Sequence, residues 1–176
     1  MNVTVVACAI ILIASTVAGL KLQLTNNMRR IYTDSGTGAK LDLAVFEPNL
    51  PQDYYLVGHF AQRNHDLEPN GFIVIVKPET QNEISLPTDY QQTWNDKGTG
   101  GIQDVSFWRP ICKPGYVSLG DVINIGYGKP FQLRYACILN RSVTNGQVGP
   151  LIWNDQGSGG KLDGSVYAIV SGGGQV

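Results

Sequence analysis

Three copies of one glycine-rich, aspartate-closed segment constrain this chain more than any other feature: "DSGTGAKLD" from Asp34, "DKGTGGIQD" from Asp96 and "DQGSGGKLD" from Asp155. An aromatic residue stands two positions before each copy, Tyr32, Trp94 and Trp153, at successive offsets of 62 and 59 residues. A period near 60 in a chain of 176 residues implies three structural units inside one domain. The first two units match well beyond the loop. "EPNLPQDYYLVGHF" from Glu47 aligns without a gap on "RPICKPGYVSLGDV" from Arg109, pairing Pro48 with Pro110, Tyr54 with Tyr116 and Gly58 with Gly120. The third unit stops soon after Tyr167, so the N-terminal "KLQL" is expected to supply its missing half and close the domain head to tail.

Each loop leads into an alternating run, "LDLAVFEP", "QDVSFWRP" and "LDGSVYAI". Alternation at period two marks a strand with one buried face. It sends Leu43, Val45, Val105, Phe107 and Val166 to the core and Phe46, Trp108 and Tyr167 to the opposite face. "GFIVIVKP" and "FQLRYACIL" read as further strands, and beyond residue 20 no segment holds a 3.6-residue period for three turns. With 21 glycines and 9 prolines to make turns, the chain reads as all-β with internal pseudo-threefold symmetry. The natural architecture is a β-prism, three antiparallel sheets about an axis.

The loops also carry a motif. Gly38-Ala-Lys-Leu-Asp42, Gly100-Gly-Ile-Gln-Asp104 and Gly159-Gly-Lys-Leu-Asp163 fit a G-x-x-x-D pattern. In this they resemble the jacalin-related lectins of mannose and glucose type, which are β-prisms. The repeated W-N-D-x-G-[ST]-G frame, with "PGYVSLGDV" after the second loop, is also similar to vacuolar-sorting-related β-prism domains and to secreted lectins of pearl-oyster mantle. The resemblance implies that the carboxylates of Asp42, Asp104 and Asp163 accept paired sugar hydroxyls, with Gly38, Gly100, Gly159 and Gly160 opening the loops. The chemistry is suitable, because a carboxylate takes two hydroxyl hydrogens through charge-assisted bonds and glycine lets backbone amides approach a sugar. The aromatics Tyr32, Trp94 and Trp153 then serve as sugar platforms or as core wedges. Asp34, Asp96 and Asp155 serve as turn formers, and a purely structural role for all three loops stays open, since tight turns select Asp and Gly in any case.

"MNVTVVACAIILIASTVAGL" is uncharged, apolar in its middle and ends in small residues, the pattern of a secretory signal peptide over residues 1–20, leaving one β-prism domain over 21–176. An extracellular location is the consequence. Cys112 and Cys137 then form the remaining pair, within the chain or between chains. Asn140 opens an "NRS" glycosylation sequon. A formal net charge of −1 is no nucleic-acid footprint. Catalytic motifs are missing: position 156 is Gln where a G-x-S-x-G elbow needs another residue type, and the only histidines, His59 and His65, have no helical or zinc-type spacing. The loops lack the oxygen-ligand series of an EF-hand. The expectation is a non-enzymatic, secreted lectin that binds glycans or small oligosaccharides, with no cofactor and no metal and with homo-oligomerisation left open. The alternative is a non-catalytic β-prism for protein or membrane-surface contact.

Overall fold

A computed structural model describes residues 19–131 and 134–171. The leader expected over residues 1–20 lies outside them, apart from Gly19 and Leu20. Short antiparallel strands make up the described structure, with a single 3-10 turn at Asn140–Ser142.

Unit 1 holds β2 (Met28–Thr33), β3 (Ala44–Pro48), β4 (Tyr55–Leu56), β5 (Phe60–Gln62), β6 (Ile73–Pro78) and β7 (Ile84–Ser85), preceded by β1 (Leu20–Thr25). Unit 2 holds β8 (Asp89–Asn95), β9 (Val105–Ile111), β10 (Tyr116–Val117), β11 (Val122–Ile125) and β12 (Cys137–Leu139). Unit 3 has β13 (Gly146–Asn154) and β14 (Ser165–Ser171). Corresponding strands pair alike. The sheet β2-β3-β5 repeats as β8-β9-β11 and as the two-stranded β13-β14, and all three are antiparallel. Two further sheets, β1-β6-β4 and β7-β12-β10, repeat each other in the same way. The result is the all-β, pseudo-threefold β-prism that the repeats imply.

The N-terminal strand does not do what the repeat arithmetic suggests. β1 pairs in register with β6, from Leu20 opposite Pro78 to Thr25 opposite Ile73, and not with β14. Its counterpart is β7, which stands before unit 2 and pairs with β12 as β1 pairs with β6. The physical reason is the alternation of "LKLQL": its half-buried Leu22 packs into a cluster that Leu20, Val57, Val74 and Val76 form with Ala136 and Ile138 of unit 2.

The period-two reading of the long strands holds. Leu43, Val45, Val105, Phe107 and Val166 meet Tyr32, Trp94 and Trp153 in the central cluster. Phe46 and Trp108 point the other way, into satellite clusters. The rings of Trp94 and Trp153 stand edge to face with centroids 5.3 Å apart, and Phe107 lies 4.9 Å from Trp94. Cys112 and Cys137 are joined within the chain, with Cα atoms 5.8 Å apart, and tie the end of unit 2's first sheet to β12. The bridge packs with Trp108, Tyr116 and Tyr135.

Units 1 and 2 are stitched together through His59, which is buried. Its backbone N–H donates to the Asp121 carbonyl (3.2 Å) and its Nδ1 accepts from the Ile123 N–H (3.1 Å), while Nε2 has no partner. Burial, with a smaller contribution from Arg29, pushes the imidazole down from 6.5 to about 3. The unfolded chain therefore takes up this proton near pH 6.5 and the folded chain does not until about pH 3. Between those values the unfolded state holds more protons, so stability falls as pH falls, by up to about 1.4 kcal/mol per unit. In urea unfolding between pH 7 and pH 4, His59→Asn, which keeps an acceptor for Ile123, is expected to lose less stability than the parent; an unchanged slope would show that His59 does not carry the acid sensitivity.

Candidate functional site

The three loops come together at one end of the prism and interlock. The Lys40 N–H donates to the Gln156 carbonyl (2.9 Å), the Lys161 N–H to the Lys97 carbonyl (3.1 Å) and the Ile102 N–H to the Ser35 carbonyl (3.1 Å). Donors 40, 102 and 161 are equivalent positions of the repeat, as are acceptors 35, 97 and 156, so these bonds form a closed ring around the axis. Inside each loop a second bond recurs. Ala39, Gly101 and Gly160 donate their backbone N–H groups to the hydroxyls of Thr37, Thr99 and Ser158, at 3.1 to 3.2 Å.

This approach requires glycine. Gly36, Gly98 and Gly157 have φ of +84°, +94° and +96°, and the first motif glycines, Gly38, Gly100 and Gly159, have +75°, +76° and +74°. A Cβ on Gly157 would stand 3.1 Å from the Gly38 carbonyl oxygen. The motif glycines thus let three loops meet, and two backbone amides that a sugar-binding loop would offer are already engaged within the hub.

Beneath the ring lies a layer of carboxylates. Asp34 and Asp96 are buried and accept the N–H groups of Leu43 (2.8 Å) and Val105 (3.1 Å) on Oδ1, which fixes the loop ends as the turn reading expects. Each indole reaches across to the next unit: Trp153 Nε1 donates to Asp34 Oδ2 (2.7 Å) and Trp94 Nε1 to Asp155 Oδ2 (3.2 Å) and to the Leu162 carbonyl (2.9 Å). Tyr32 holds the third such place, but its hydroxyl is buried without a partner. Burial, followed by the Asp96 and Asp34 carboxylates, pushes that phenol well above its ordinary range. Tyr32, Trp94 and Trp153 are therefore core wedges and not sugar platforms: all three are at most 2% exposed.

The motif aspartates Asp42, Asp104 and Asp163 are exposed on the rim, where they differ from one another. Asp42 Oδ1 lies 3.8 Å from His65 Nε2, which also contacts Asp34 Oδ1 at 2.6 Å. Asp104 Oδ1 accepts from the Tyr127 hydroxyl (2.9 Å), and Lys97 Nζ sits 4.5 Å from the centre of the Tyr127 ring. Partial burial, then hydrogen bonding to Asp104 and Asp96, pushes the Tyr127 phenol up. Among the described residues Asp163 makes no hydrogen bond or ion pair. Gly38, Gly100 and Gly159 are exposed and Gly160 is half-buried, while Asn140 is exposed in its 3-10 turn.

Sequence reasoning missed His65 and Tyr127. The signal was available, because they stand 62 residues apart, the offset that relates the first two loops.

An all-β prism with these interlocked, non-identical loops is the class of protein that the geometry defines. The family model described as vacuolar protein sorting-associated protein 62 matches residues 11–169, and the chain belongs to this family. It is also similar to a solved structure, "Crystal structure of GNIP1Aa from Chromobacterium piscinae", at 33% identity and a TM-score of 0.77. That match covers 88% of this chain but 31% of the other, so the chain spans about a third of that protein's length. No curated protein matches the chain.

If the hub rests on glycine, Gly157→Ala should lower stability by about 1 to 2 kcal/mol, the cost of a left-handed residue with a Cβ, before counting its contact with Gly38. Gly128→Ala, with open space around the added Cβ, should change stability by less than about 0.5 kcal/mol in the same denaturation series. Equal effects would mean that the loops do not depend on close approach.

Proposed function

We propose that this chain is a secreted, non-catalytic recognition domain that takes glucose- or mannose-type hydroxyls at its third loop. The observation that carries the reading is the exposed Asp163 carboxylate, which no described group engages, on a loop whose backbone is already pinned by the hub. A rigid, solvent-facing acceptor that gives up no internal bond is suited to adjacent sugar hydroxyls. In the first two loops a ligand would have to compete with His65 or Tyr127 for the carboxylate. The loops are therefore three unequal candidates, and the third is the most open. The Cys112–Cys137 bridge supports an oxidising compartment.

A second reading is that the same end of the prism contacts a protein or membrane surface. Ile102, 84% exposed, and Leu162, 42% exposed, project from the second and third loops beside the carboxylates and favour it. Calorimetry with mannose, glucose and their disaccharides separates the two. Saturable heat is expected for the parent, and Asp163→Asn should weaken binding by about 2 kcal/mol, since the variant loses hydrogen bonds to a charged acceptor. No heat from the folded parent, or equal binding by Asp163→Asn, removes the sugar reading and leaves the surface one.

A further inference from the structure

We infer that the first loop is a divalent transition-metal site, with Asp34, Asp42 and His65 as its three protein ligands. One ligand atom from each of these side chains lies within 4.8 Å of the others, close enough to surround a single ion. His65 Nε2 stands 2.6 Å from Asp34 Oδ1 and 3.8 Å from Asp42 Oδ1. In a tetrahedral site with bonds of about 2.0 to 2.1 Å, neighbouring ligand atoms are separated by roughly 3.3 Å. The first distance needs to open by about 0.7 Å and the second to close by about 0.5 Å, within the reach of side-chain rotation.

The supporting groups already hold these ligands in a suitable orientation. Asp34 Oδ2 is occupied by the Trp153 indole, and Oδ1, which also accepts the Leu43 N–H, faces the imidazole with its remaining lone pair. The His65 backbone is held from below, since its carbonyl accepts from Arg30 Nη1 at 2.6 Å. The other ring nitrogen, Nδ1, lies 3.4 Å from Ser35 Oγ. At 2.6 Å from the Asp34 carboxylate Nε2–H is the donor, so an ion that takes Nε2 displaces that proton, and Nδ1–H then donates to Ser35 Oγ as a metal-binding histidine characteristically does with its second N–H. His65 is about one-third exposed and Asp42 nearly two-thirds, so the ion has a path from solvent and a position open for water. One imidazole and two carboxylates form a mixed N/O set that suits Zn²⁺ and its neighbours. Ca²⁺ requires six to eight oxygens, which this set does not supply.

The repeat provides an internal control. In the second unit the matching positions are Asp96, Asp104 and Tyr127, so a phenol replaces the imidazole where the carboxylates are kept. One metal per chain is the consequence. The site uses Asp42, whereas the sugar reading rests on Asp163, so either can fail without the other.

The test is titration of the metal-stripped, untagged full chain with ZnCl₂ near neutral pH, followed by calorimetry, and with CoCl₂, followed by its visible absorption. One saturable Zn²⁺ per chain is expected, together with the intense visible band of four-coordinate cobalt. His65→Tyr, which copies the second unit, and Asp42→Asn should each weaken binding at least 30-fold. Asp104→Asn should leave binding unchanged, and CaCl₂ should give no saturable heat. Near-UV circular dichroism from the buried tryptophans confirms that each variant is folded; Asp34 is left intact because it also holds the loop. The proposal is overturned if the parent takes up no Zn²⁺, if folded His65→Tyr binds as the parent does, or if Asp104→Asn abolishes binding.

Discussion

The closed ring of backbone hydrogen bonds among the three loops is the constraint on which the rest of the prism depends. Each loop gives one N–H to a neighbour and accepts one from the other, so no loop can reach its final position alone. A single bond of this kind adds only about 1 kcal/mol net. Closure makes the set cooperative, and the buried carboxylates extend that cooperativity inward. Asp34 bonds its own loop's end through Leu43 and the third unit's indole through Trp153, so the same side chain ends a turn and docks a neighbouring sheet. The aromatic cluster around Trp94, Phe107 and Trp153 then fills the axis below the ring. Glycine is needed at the top because backbones meet there, whereas underneath large rings from the three units pack against one another.

Symmetry of backbone does not carry over into symmetry of chemistry. Where two units present an indole N–H to a carboxylate, the first presents the Tyr32 phenol, whose hydroxyl stays unpartnered. Gly164 marks a similar compromise, since a Cβ there would lie 2.5 Å from the Trp94 ring that unit 3 must admit. On the rim, the position that comes after the third strand of each full sheet is His65 in unit 1 and Tyr127 in unit 2, and each approaches its own motif aspartate. Three copies of one motif are thereby given three different electrostatic settings while the scaffold stays constant.

Much of this is legible in the sequence, for identifiable reasons. Period-two alternation in "LDLAVFEP" and "QDVSFWRP" depends only on pleat geometry, so it locates the core-facing Val45 and Phe107 correctly. Cys112 and Cys137 form an even pair, and the fold resolves that pair as a bond within the chain. The roles of the aromatics are not legible, because a tryptophan before a glycine loop suits a sugar face as well as a core; only the convergence of three units shows that Trp94 and Trp153 are buried. The place of β1 is hidden for a related reason. Repeat arithmetic identifies which unit is short, but pairing is decided by apolar contacts, and Leu22 finds them beside β6. His65 escapes notice because metal and catalytic patterns are searched by local spacing, whereas its partners lie 31 and 23 residues away.

Duplication by itself would explain three glycine loops, since the hub needs every one of them. It explains the rim carboxylates less completely. Asp34 and Asp96 hold their loop ends, but no part of the ring, of the indole contacts or of the core uses the side chains of Asp42, Asp104 or Asp163. In the first two units the carboxylate has acquired an internal neighbour at equivalent positions, a histidine in one and a tyrosine in the other. In the third the described fold offers it none. An exposed carboxylate is inexpensive, so its presence does not demand a ligand. Held on a pinned backbone between Leu162 and Gly164, however, it loses little conformational freedom when a ligand arrives, and that pre-organisation is what a weak hydroxyl-binding site requires. On the proposed sugar reading, the hub that makes the loops structural also supplies the pre-organisation that the third of them would use.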